Sequence, residues 1–168
     1  MIDLFSDISA GCELTIPIAH HKVVGVIGAG GIVTGAHLPA YRKAGLPVHA
    51  ITDIDSEKAQ SAAEEFNITR VYSSAKELLA DPDIEVVDIA VPAAEQPALL
   101  LAALEAGKHV LAQKPLSTTV EDALDMAAKA QETGLHVGVN QQLRFDEGIA
   151  AAHRMVDLGW IGKVSGFS

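Results

Sequence analysis

The sequence predicts an α/β fold with a doubly wound parallel sheet. Short apolar runs such as KVVGVIG and EVVDIAV alternate with longer segments of helical periodicity. Strands that alternate with helices need crossover connections, which are right-handed and leave the strands parallel. Six such strands are typical of the doubly wound class. Hydrophobic residues make up 49% of the 168 residues, so helices can bury a core against the sheet.

Most of the predicted strands are short runs rich in valine, isoleucine and leucine, as expected for a parallel sheet buried on both faces; the third is the short segment RVY. These runs occupy residues 22–28, 48–53, 70–72, 85–91, 109–113 and 135–140. Pro92 stops the fourth run, since proline cannot donate to a strand ladder. A further run at 163–168 predicts the start of a seventh strand.

The predicted helices lie between these runs and carry start or stop signals. They occupy residues 31–44, 56–66, a short segment from Ser74, 95–106, 118–134 and 146–158. Ser74–Glu77 and Thr118–Glu121 have the pattern of a capping box, in which two side chains satisfy free N–H groups. Gly107 and Gly159 stand where a helix is expected to end. Pro39 predicts a kink in the first helix.

Charge and composition exclude several partners. The chain has 12 Lys and Arg residues against 22 Asp and Glu residues, for a formal net charge of -10. Such an acidic surface repels nucleic acid and anionic lipid, so neither is predicted as a partner. The single cysteine, Cys12, cannot form an internal disulfide and fits a reducing, cytoplasmic compartment.

Two further alternatives are set aside. The uncharged stretch 23–41 is long enough to span a bilayer, but its glycines and proline favour a strand, a turn and a helix. No metal site is predicted, because the adjacent side chains of His20 and His21 diverge and no other ligand is spaced nearby.

A glycine-rich loop, in GVIGAGGIV, follows the first predicted strand and opens the first helix. Gly28 allows a tight turn, and the missing side chain of Gly30 lets a pyrophosphate approach the backbone. Gly31 and Ile32 begin the helix, whose free N–H groups and positive dipole end attract phosphate. Val33 occupies the third fingerprint position, where Gly or Ala is usual. The loop therefore has the context that a dinucleotide-binding motif requires.

An acidic residue, Asp53, ends the second predicted strand. Its carboxylate can accept the ribose hydroxyls of an adenosine, and it repels a 2′-phosphate. Asp55 adds a second negative charge that no nearby arginine offsets, so NAD is favoured over NADP. The alternative is that both aspartates are only turn residues and helix caps. Val91 and Pro92, at the end of the fourth strand, are expected to pass under the adenosine-side ribose and the pyrophosphate.

A lysine, Lys114, follows the fifth predicted strand and is itself followed by Pro115. In a doubly wound sheet, ligands bind outside the carboxyl ends of the strands. A lysine there can donate a proton or a hydrogen bond to a substrate oxygen, or lose a proton during alcohol oxidation. Pro115 biases Lys114 toward an extended backbone. Spacing alone leaves open that Lys114 is a surface lysine before a turn.

Three segments, GAGGIVTGAHLPAYRKAG, AGKHVLAQKPLSTTVEDA and VGVNQQLRF, resemble the glucose–fructose oxidoreductase / inositol dehydrogenase / rhizopine-catabolism (Gfo/Idh/MocA) family over residues 22–168. The resemblance implies a dinucleotide-binding Rossmann domain. It also implies that Lys114, which matches the lysine of the family's Glu-Lys-Pro segment, lies beside the nicotinamide and assists proton transfer. Asn140 or Arg144 would contact nicotinamide or substrate, unless they only brace the loop after the sixth strand.

Two positions depart from the family pattern. Gln113 replaces the usual glutamate; its amide can still bond to a nicotinamide ribose, but it cannot stabilise a neighbouring ammonium as a carboxylate can. Gln96 stands where many relatives have histidine, so no proton relay is assigned to it. His37, in the first helix, is expected to serve packing or a turn rather than chemistry.

The resemblance implies three segments. These are an N-terminal extension over 1–21, an NAD(P)-binding domain over 22–145, and a linking helix with the first strand of a largely missing, truncated α/β substrate domain over 146–168. The implied function is hydride transfer between NAD, or less readily NADP, and a hydroxyl-bearing carbon of a sugar, polyol or similar substrate. The alternatives are a non-catalytic NAD-binding module and a truncated remnant. The expected partners are a second copy of the chain or a complementing substrate domain.

Overall fold

The computed structural model describes residues 21–166, in which the chain forms two compact units, residues 21–140 and 141–166. The predicted extension over 1–21 lies outside the described residues except at His21. No helix within 21–166 combines the length and the apolar character needed to cross a bilayer. The first unit carries the sheet and all but one of the side chains discussed above for cofactor and substrate.

The first unit contains one sheet of six strands in the order β3-β2-β1-β4-β5-β6. The strands are β1 (Val24–Ile27), β2 (Val48–Thr52), β3 (Arg70–Val71), β4 (Val86–Ile89), β5 (His109–Ala112) and β6 (Val137–Val139). Every neighbouring pair is parallel. The chain starts at the centre and winds outward to each side, which is the doubly wound Rossmann order. The predicted fold class is confirmed.

Helices connect the strands at nearly the predicted positions. A π-helical turn (Val33–His37) leads into α1 (Leu38–Ala44). The later helices of this unit are α2 (Ser56–Phe66), α3 (Ala75–Ala80), α4 (Gln96–Glu105) and α5 (Val120–Thr133). Pro39 lies in the first turn of α1. The irregularity predicted near Pro39 therefore takes the form of a change from π to α winding just before the proline.

The predicted helix caps need one correction. Ser74 caps α3 as predicted, since its hydroxyl accepts from the N–H of Glu77 over 3.3 Å. At the second predicted box the cap is Thr119 rather than Thr118, because Thr119 accepts from the N–H of Asp122 over 3.1 Å. Thr119 has an extended backbone, which a cap residue needs before the first helical turn.

Side chains of the central strands alternate between two apolar clusters, one on each face of the sheet. One cluster joins Ile27, Val87 and Ile89 to α3, α4 and α5. The other joins Val24 and Val26 to the helices that follow β1 and β2. Helices thus cover both faces, which explains why the strand sequences are mainly apolar and do not alternate regularly with polar residues.

The second unit contains a 3-10 turn (Gln142–Phe145) and α6 (Glu147–Asp157). Asp146 caps α6 by accepting from the N–H groups of Gly148 and Ile149 over 3.0 and 3.2 Å. The seventh strand predicted over 163–168 is wrong for residues 163–166, which have no strand conformation; residues 167–168 lie outside the described part. A strand requires a hydrogen-bonded neighbour, and residues 141–166 contain none.

Candidate cofactor site

The side chains predicted to bind the cofactor follow the carboxyl ends of five strands. Because the sheet is parallel, these ends share one edge of it. The residues in question are Gly28, Gly30, Gly31 and Ile32 after β1, Asp53 after β2, Val91 and Pro92 after β4, Gln113 and Lys114 after β5, and Asn140 after β6. This edge is where a doubly wound sheet binds ligands.

Packing of the protein itself requires glycine at position 28. Gly28 has φ of +108°, and a Cβ there would lie 2.4 Å from the carbonyl oxygen of Ala90 at the end of β4. Its N–H donates to the carbonyl of Thr52 at the end of β2 over 2.8 Å. Val91 lies against the same turn, 3.5 Å from that Cβ position. Gly28 thus holds β1, β2 and β4 together at the start of the loop.

The next two glycines have a different environment. A Cβ at Gly30 or Gly31 would meet no protein atom within 4 Å, so packing does not explain the missing side chains. Gly31 and Ile32 are exposed and lie at the start of the first helix, where N–H groups have no acceptor within the helix. An open backbone with free N–H groups suits a pyrophosphate, so these residues fit the predicted cofactor.

Asp53 stabilises the glycine loop in addition to its predicted contact with the cofactor ribose. One carboxylate oxygen accepts from the N–H of Ala29 in the glycine loop over 2.6 Å. The other oxygen accepts from the N–H of Asp55 over 2.8 Å. Each oxygen retains a further lone pair. The half-buried carboxylate can therefore shape the glycine loop and still accept a ribose hydroxyl.

The second acidic residue, Asp55, is compensated by a cation. It caps α2, and its carboxylate lies 3.0 Å from the ammonium of Lys58. The hydrogen bond from Lys58 holds the pKa of Asp55 below its usual value. The sequence argument considered only arginine, so it overestimated the negative charge. Within residues 21–166, Asp53 has no such ion pair, although the Lys58 ammonium also interacts with its charge.

Lys114 is exposed directly after β5, and its peptide bond to Pro115 is cis. Its backbone is held on both sides by buried glutamines. The N–H of Lys114 donates to Oε1 of Gln113 over 2.8 Å, and the carbonyl of Pro115 accepts from Nε2 of Gln96 over 2.7 Å. Among the described residues, no hydrogen bond or ion pair engages the Lys114 ammonium. The amine is therefore available to a ligand.

Comparison with known proteins identifies the fold family. The family model described as "Oxidoreductase family, NAD-binding Rossmann fold" (Gfo/Idh/MocA) matches residues 22–141. The chain belongs to the Gfo/Idh/MocA oxidoreductase family.

Relatives in the Gfo/Idh/MocA family include 1,5-anhydro-D-fructose reductase of Ensifer adhaerens, 38% identical over 77% of this chain and 38% of that protein. Inositol 2-dehydrogenase/D-chiro-inositol 3-dehydrogenase of Lacticaseibacillus casei is 36% identical over 83% of this chain and 41% of its own length. The chain thus spans about two fifths of the length of these relatives.

Solved structures of the Gfo/Idh/MocA family have the same fold. A levoglucosan dehydrogenase in complex with NADH and levoglucosan has a TM-score of 0.80 and 32% identity, over 86% of this chain and 41% of that one. A 3-ketoreductase from Actinomadura kijaniata in complex with NADP has a TM-score of 0.76 and 33% identity, over 83% of this chain and 43% of that one. The chain is therefore an NAD-binding Rossmann domain, and its neighbours bind either dinucleotide.

Sequence reasoning missed a polar cluster in this Gfo/Idh/MocA domain. Nδ1 of the buried His37 lies 2.7 Å from Oδ2 of Asp88, and the hydroxyl of Tyr41 donates to the same oxygen over 2.9 Å. Burial and the Asp88 carboxylate raise the pKa of Tyr41, which keeps the phenol a donor. The available signal was Asp88 itself, a carboxylate in the otherwise apolar run VVDIAV.

Two predicted site residues belong to this cluster. The amide of Gln113, expected to face a nicotinamide ribose, is buried, with Nε2 3.1 Å from Nε2 of His37. Nδ2 of Asn140 lies 3.2 Å from the same ring nitrogen. Arg144 belongs to the second unit, residues 141–166. His37 was expected to serve packing or a turn, whereas the structure makes it the centre of a hydrogen-bond network.

The amino end of the sheet contains a group of potential metal ligands. Among the described residues, His49, Asp81 and Asp83 have ligand atoms within 4.8 Å of one another. The guanidinium of Arg70 lies 2.8 Å from Asp81 and 3.5 Å from Asp83. Arg70 already supplies the positive charge that a cation would bring, so this group has a sufficient structural explanation.

Proposed function

We propose that this domain binds NAD(H) along the carboxyl edge of its sheet and supports hydride transfer to or from a hydroxyl-bearing carbon of a sugar or polyol. The observation that carries the proposal is the backbone at Gly30 and Gly31, against which no protein atom packs, in a loop whose Ala29 N–H donates to the Asp53 carboxylate. The named relatives act on sugars and inositols, and the neighbour with levoglucosan contains NADH. These names support the substrate class, which for this chain is part of the proposal.

The proposed preference for NAD over NADP rests on Asp53. Its oxygens accept backbone N–H groups within the protein and have lone pairs left for the two ribose hydroxyls. A 2′-phosphate would bring negative charge to a carboxylate that has no ion pair among residues 21–166. Water screens charges less in a half-buried site than in bulk solution. Repulsion between the Asp53 carboxylate and the 2′-phosphate is therefore strong enough to favour NAD over NADP.

Lys114 is proposed as the acid and base of the reaction. NAD, when bound, supplies the acceptor for a hydride from the substrate carbon. In that direction the neutral amine of Lys114 takes the proton of the substrate hydroxyl; in the reverse direction its ammonium returns a proton to the carbonyl oxygen. The exposed amine, free of protein partners in the described part, supports this assignment. Asn140 is proposed to contact the nicotinamide half from the neighbouring strand end.

The remaining assignments stay proposals of the same kind. Val91 and Pro92 are proposed to line the path of the ribose and pyrophosphate, next to the Gly28 turn. Gln113 is proposed to serve the cofactor site through its contact with the Lys114 backbone. The domain limits 22–145 and 146–168, a cytoplasmic location, and assembly with a second copy or a substrate domain remain predictions from sequence.

Calorimetric titration of the chain with NAD, NADH and NADPH tests the binding proposal. Micromolar binding of NADH that is at least tenfold tighter than that of NADPH, and that is lost in Asp53→Ala, is the expected result. A folded chain that binds none of the three would contradict the proposal. Tighter binding of NADPH would contradict the preference alone.

A non-catalytic NAD-binding module is the second candidate. The observation that favours it is the open glycine backbone at Gly30 and Gly31, which accounts for cofactor binding without any group that acts on a substrate. The two candidates differ in turnover, so the decisive assay follows NADH production with levoglucosan, inositols and related polyols. Binding of NADH without turnover of any compound in this panel favours the module.

A further inference from the structure

A buried polar cluster joins the first helix of the domain to the ends of three strands. At its centre, Nδ1 of His37 lies 2.7 Å from Oδ2 of Asp88 in β4. The hydroxyl of Tyr41 in α1 donates to the same oxygen over 2.9 Å. On the other side of the ring, Nε2 lies 3.1 Å from the amide nitrogen of Gln113 and 3.2 Å from that of Asn140. These partners follow β5 and β6.

The hydrogen bonds determine where the imidazole proton lies. The N–H of Lys114 donates to Oε1 of Gln113 over 2.8 Å, so the NH2 group of that amide faces His37. An NH2 group can only donate, and Nε2 of His37 must therefore accept. The ring proton then lies on Nδ1, from which it is donated to the Asp88 carboxylate. His37 is thus assigned as neutral imidazole from the network around it.

The backbone is shaped to bring His37 into this place. Val33 and His37 open and close the π-helical turn that precedes α1, and both are buried. A π-helical turn is rare, and where one occurs it is often at a functional site. Val33 packs into the apolar cluster on that face of the sheet, whereas His37 turns a polar ring toward Asp88. If position 37 served packing alone, an apolar residue would be sufficient there.

The cluster acts on Lys114 through one intermediate side chain. His37 holds the NH2 group of Gln113, and the oxygen of the same amide holds the N–H of Lys114. The amide is buried, so its two polar atoms have few other partners. Rotation of this amide would leave the N–H of Lys114 facing an NH2 group, which cannot accept.

We infer that His37 is a positioning residue of the site. As imidazole protonated on Nδ1 and held by Asp88, it offers one Nε2 lone pair, which the amides of Gln113 and Asn140 share. It thereby holds the backbone from which Lys114 and Asn140 serve the nicotinamide. The inference rests on the proposed function of Lys114. It predicts a defined tautomer in the chain before any ligand binds, and a dependence of the Lys114 backbone on the group at position 37.

The first test is the tautomer of His37, measured by nitrogen–proton correlation NMR on the full chain near neutral pH. A proton on Nδ1 and a bare Nε2 are expected. A proton on Nε2 would overturn the inference, because the Gln113 amide would then have to present its oxygen to the ring. No variant is needed, so folding of a mutant cannot obscure the result.

The second test compares two substitutions that each keep half of the imidazole's contacts. His37→Gln places an amide oxygen near the former Nε2, where it can accept from Gln113. His37→Asn places an amide near the former Nδ1, where it can donate to Asp88, and it leaves Gln113 without that partner. The measured quantity is hydrogen exchange at the N–H of Lys114, scaled to the N–H of Val87 in the core strand β4.

The expected result is an exchange rate at Lys114 at least about tenfold faster in His37→Asn than in the parent, and within about threefold of the parent in His37→Gln. Tyr41→Phe is the matched control, because it removes a donor to Asp88 without touching Gln113. It should leave the Lys114 rate unchanged. Equal scaled rates in the two His37 variants would show that position 37 only supports packing, and would overturn the inference.

The two proposals can fail separately. Lys114→Met removes the amine and keeps the backbone N–H that Gln113 accepts. Unchanged turnover in Lys114→Met would contradict the proposed acid/base role. The tautomer and the exchange rates need neither cofactor nor substrate, so they decide the role of His37 whatever the turnover assay gives.

Discussion

Two lysines at opposite ends of β5 have opposite environments. Lys108, at the amino end, is buried, and its ammonium donates to the carbonyls of Asp81 and Ile84 over 2.8 Å each. Lys114, at the carboxyl end, is exposed and has no partner for its ammonium within residues 21–166. The same residue type, six positions along one strand, therefore serves structure at one edge of the sheet and is left available at the other.

Other residues at the two edges of the sheet extend the contrast. At the amino end, Arg70 pairs with Asp81 and Asp83. At the carboxyl end, a Cβ at Gly30 or Gly31 would face open space. A buried ammonium such as that of Lys108 must be bonded within the protein, whereas the exposed ammonium of Lys114 is solvated by water and can meet a ligand. The difference between the two edges is the strongest physical argument for a site at the carboxyl end.

The largest expected effect comes from exchanging each lysine for methionine. Lys114→Met should lower kcat/KM by about 10²- to 10⁴-fold, as loss of a general acid or base does, with little change in unfolding free energy. Lys108→Met should do the opposite, because it removes the buried ammonium that donates to the carbonyls of Asp81 and Ile84, at a cost of about 1–3 kcal/mol. Initial rates on the polyol panel and urea unfolding check both. Equal losses of unfolding free energy in the two variants would contradict the proposed difference between a structural Lys108 and a functional Lys114.

Two glycines of the loop give the next effect. Gly28→Ala should destabilise the domain by roughly 2–5 kcal/mol, because the Cβ meets the Ala90 carbonyl and the residue has a strained positive φ. Gly30→Ala should change stability by less than about 1 kcal/mol, since no protein atom is near. Its NADH affinity should nevertheless fall at least about tenfold, because the Cβ occupies the space proposed for pyrophosphate. Unchanged affinity in a stable Gly30→Ala variant would contradict that placement.

Two aspartates after β2 separate cofactor binding from helix capping. Asp53→Ala removes the acceptor for the Ala29 N–H and the proposed ribose contact, so NADH affinity should fall at least about tenfold. Asp55→Ala is the matched control, since it removes one carboxylate two residues away that caps α2. It should weaken the helix and change NADH affinity by less than about threefold. Calorimetry on both variants checks this, and similar losses in the two would count against a specific role for Asp53.

Acid pH should reveal the charge cluster at the amino end. Hydrogen bonds from the backbone N–H of Asp83, from Tyr72 and from Arg70 lower the pKa of Asp81 below its usual value. A carboxyl whose folded-state pKa is lowered contributes stability above its unfolded pKa, and this contribution is lost as pH falls through the folded value. The parent should therefore lose unfolding free energy below about pH 4, and Asp81→Asn should lose less over the same range. Thermal unfolding at several acid pH values measures the difference.

Alkaline pH should reveal the smallest effect, that of Tyr41. Its pKa is raised by burial and by the Asp88 carboxylate. Its contribution is present below the unfolded pKa and is lost as pH rises above about 10 toward the folded value. The parent should lose stability in that range, and Tyr41→Phe should show a shallower decline. Parallel unfolding curves for the two proteins between about pH 9 and 11 would rule out this contribution.

Local chemistry made much of the fold predictable. Gly28, Gly107 and Gly134 mark turns or helix ends at positive φ, where the backbone itself selects glycine. The apolar runs located the central strands, because strands covered on both faces need largely hydrophobic sequence. The edge strand β3, whose two residues are exposed, was located from the short segment RVY. The cap at Thr119 was missed by one residue because two adjacent threonines both have an acidic residue three positions later.

The polar cluster could not be predicted in the same way. His37 meets Asp88 across 51 positions, Gln113 across 76 and Asn140 across 103. No local period or spacing relates residues so far apart, and only the strand order brings them together. The charge of Asp88 within an apolar run indicated a buried partner without saying which residue it would be.

A map of NADH binding on the backbone amides of the full chain tests the difference between the two edges most directly. The account predicts large NMR shift changes at Gly30, Gly31, Asp53 and Lys114, and none above the noise at His49, Arg70 and Lys108. Changes centred on the amino end, or no changes at a concentration of NADH that saturates its relatives, would contradict the placement of the cofactor at the carboxyl edge of the sheet.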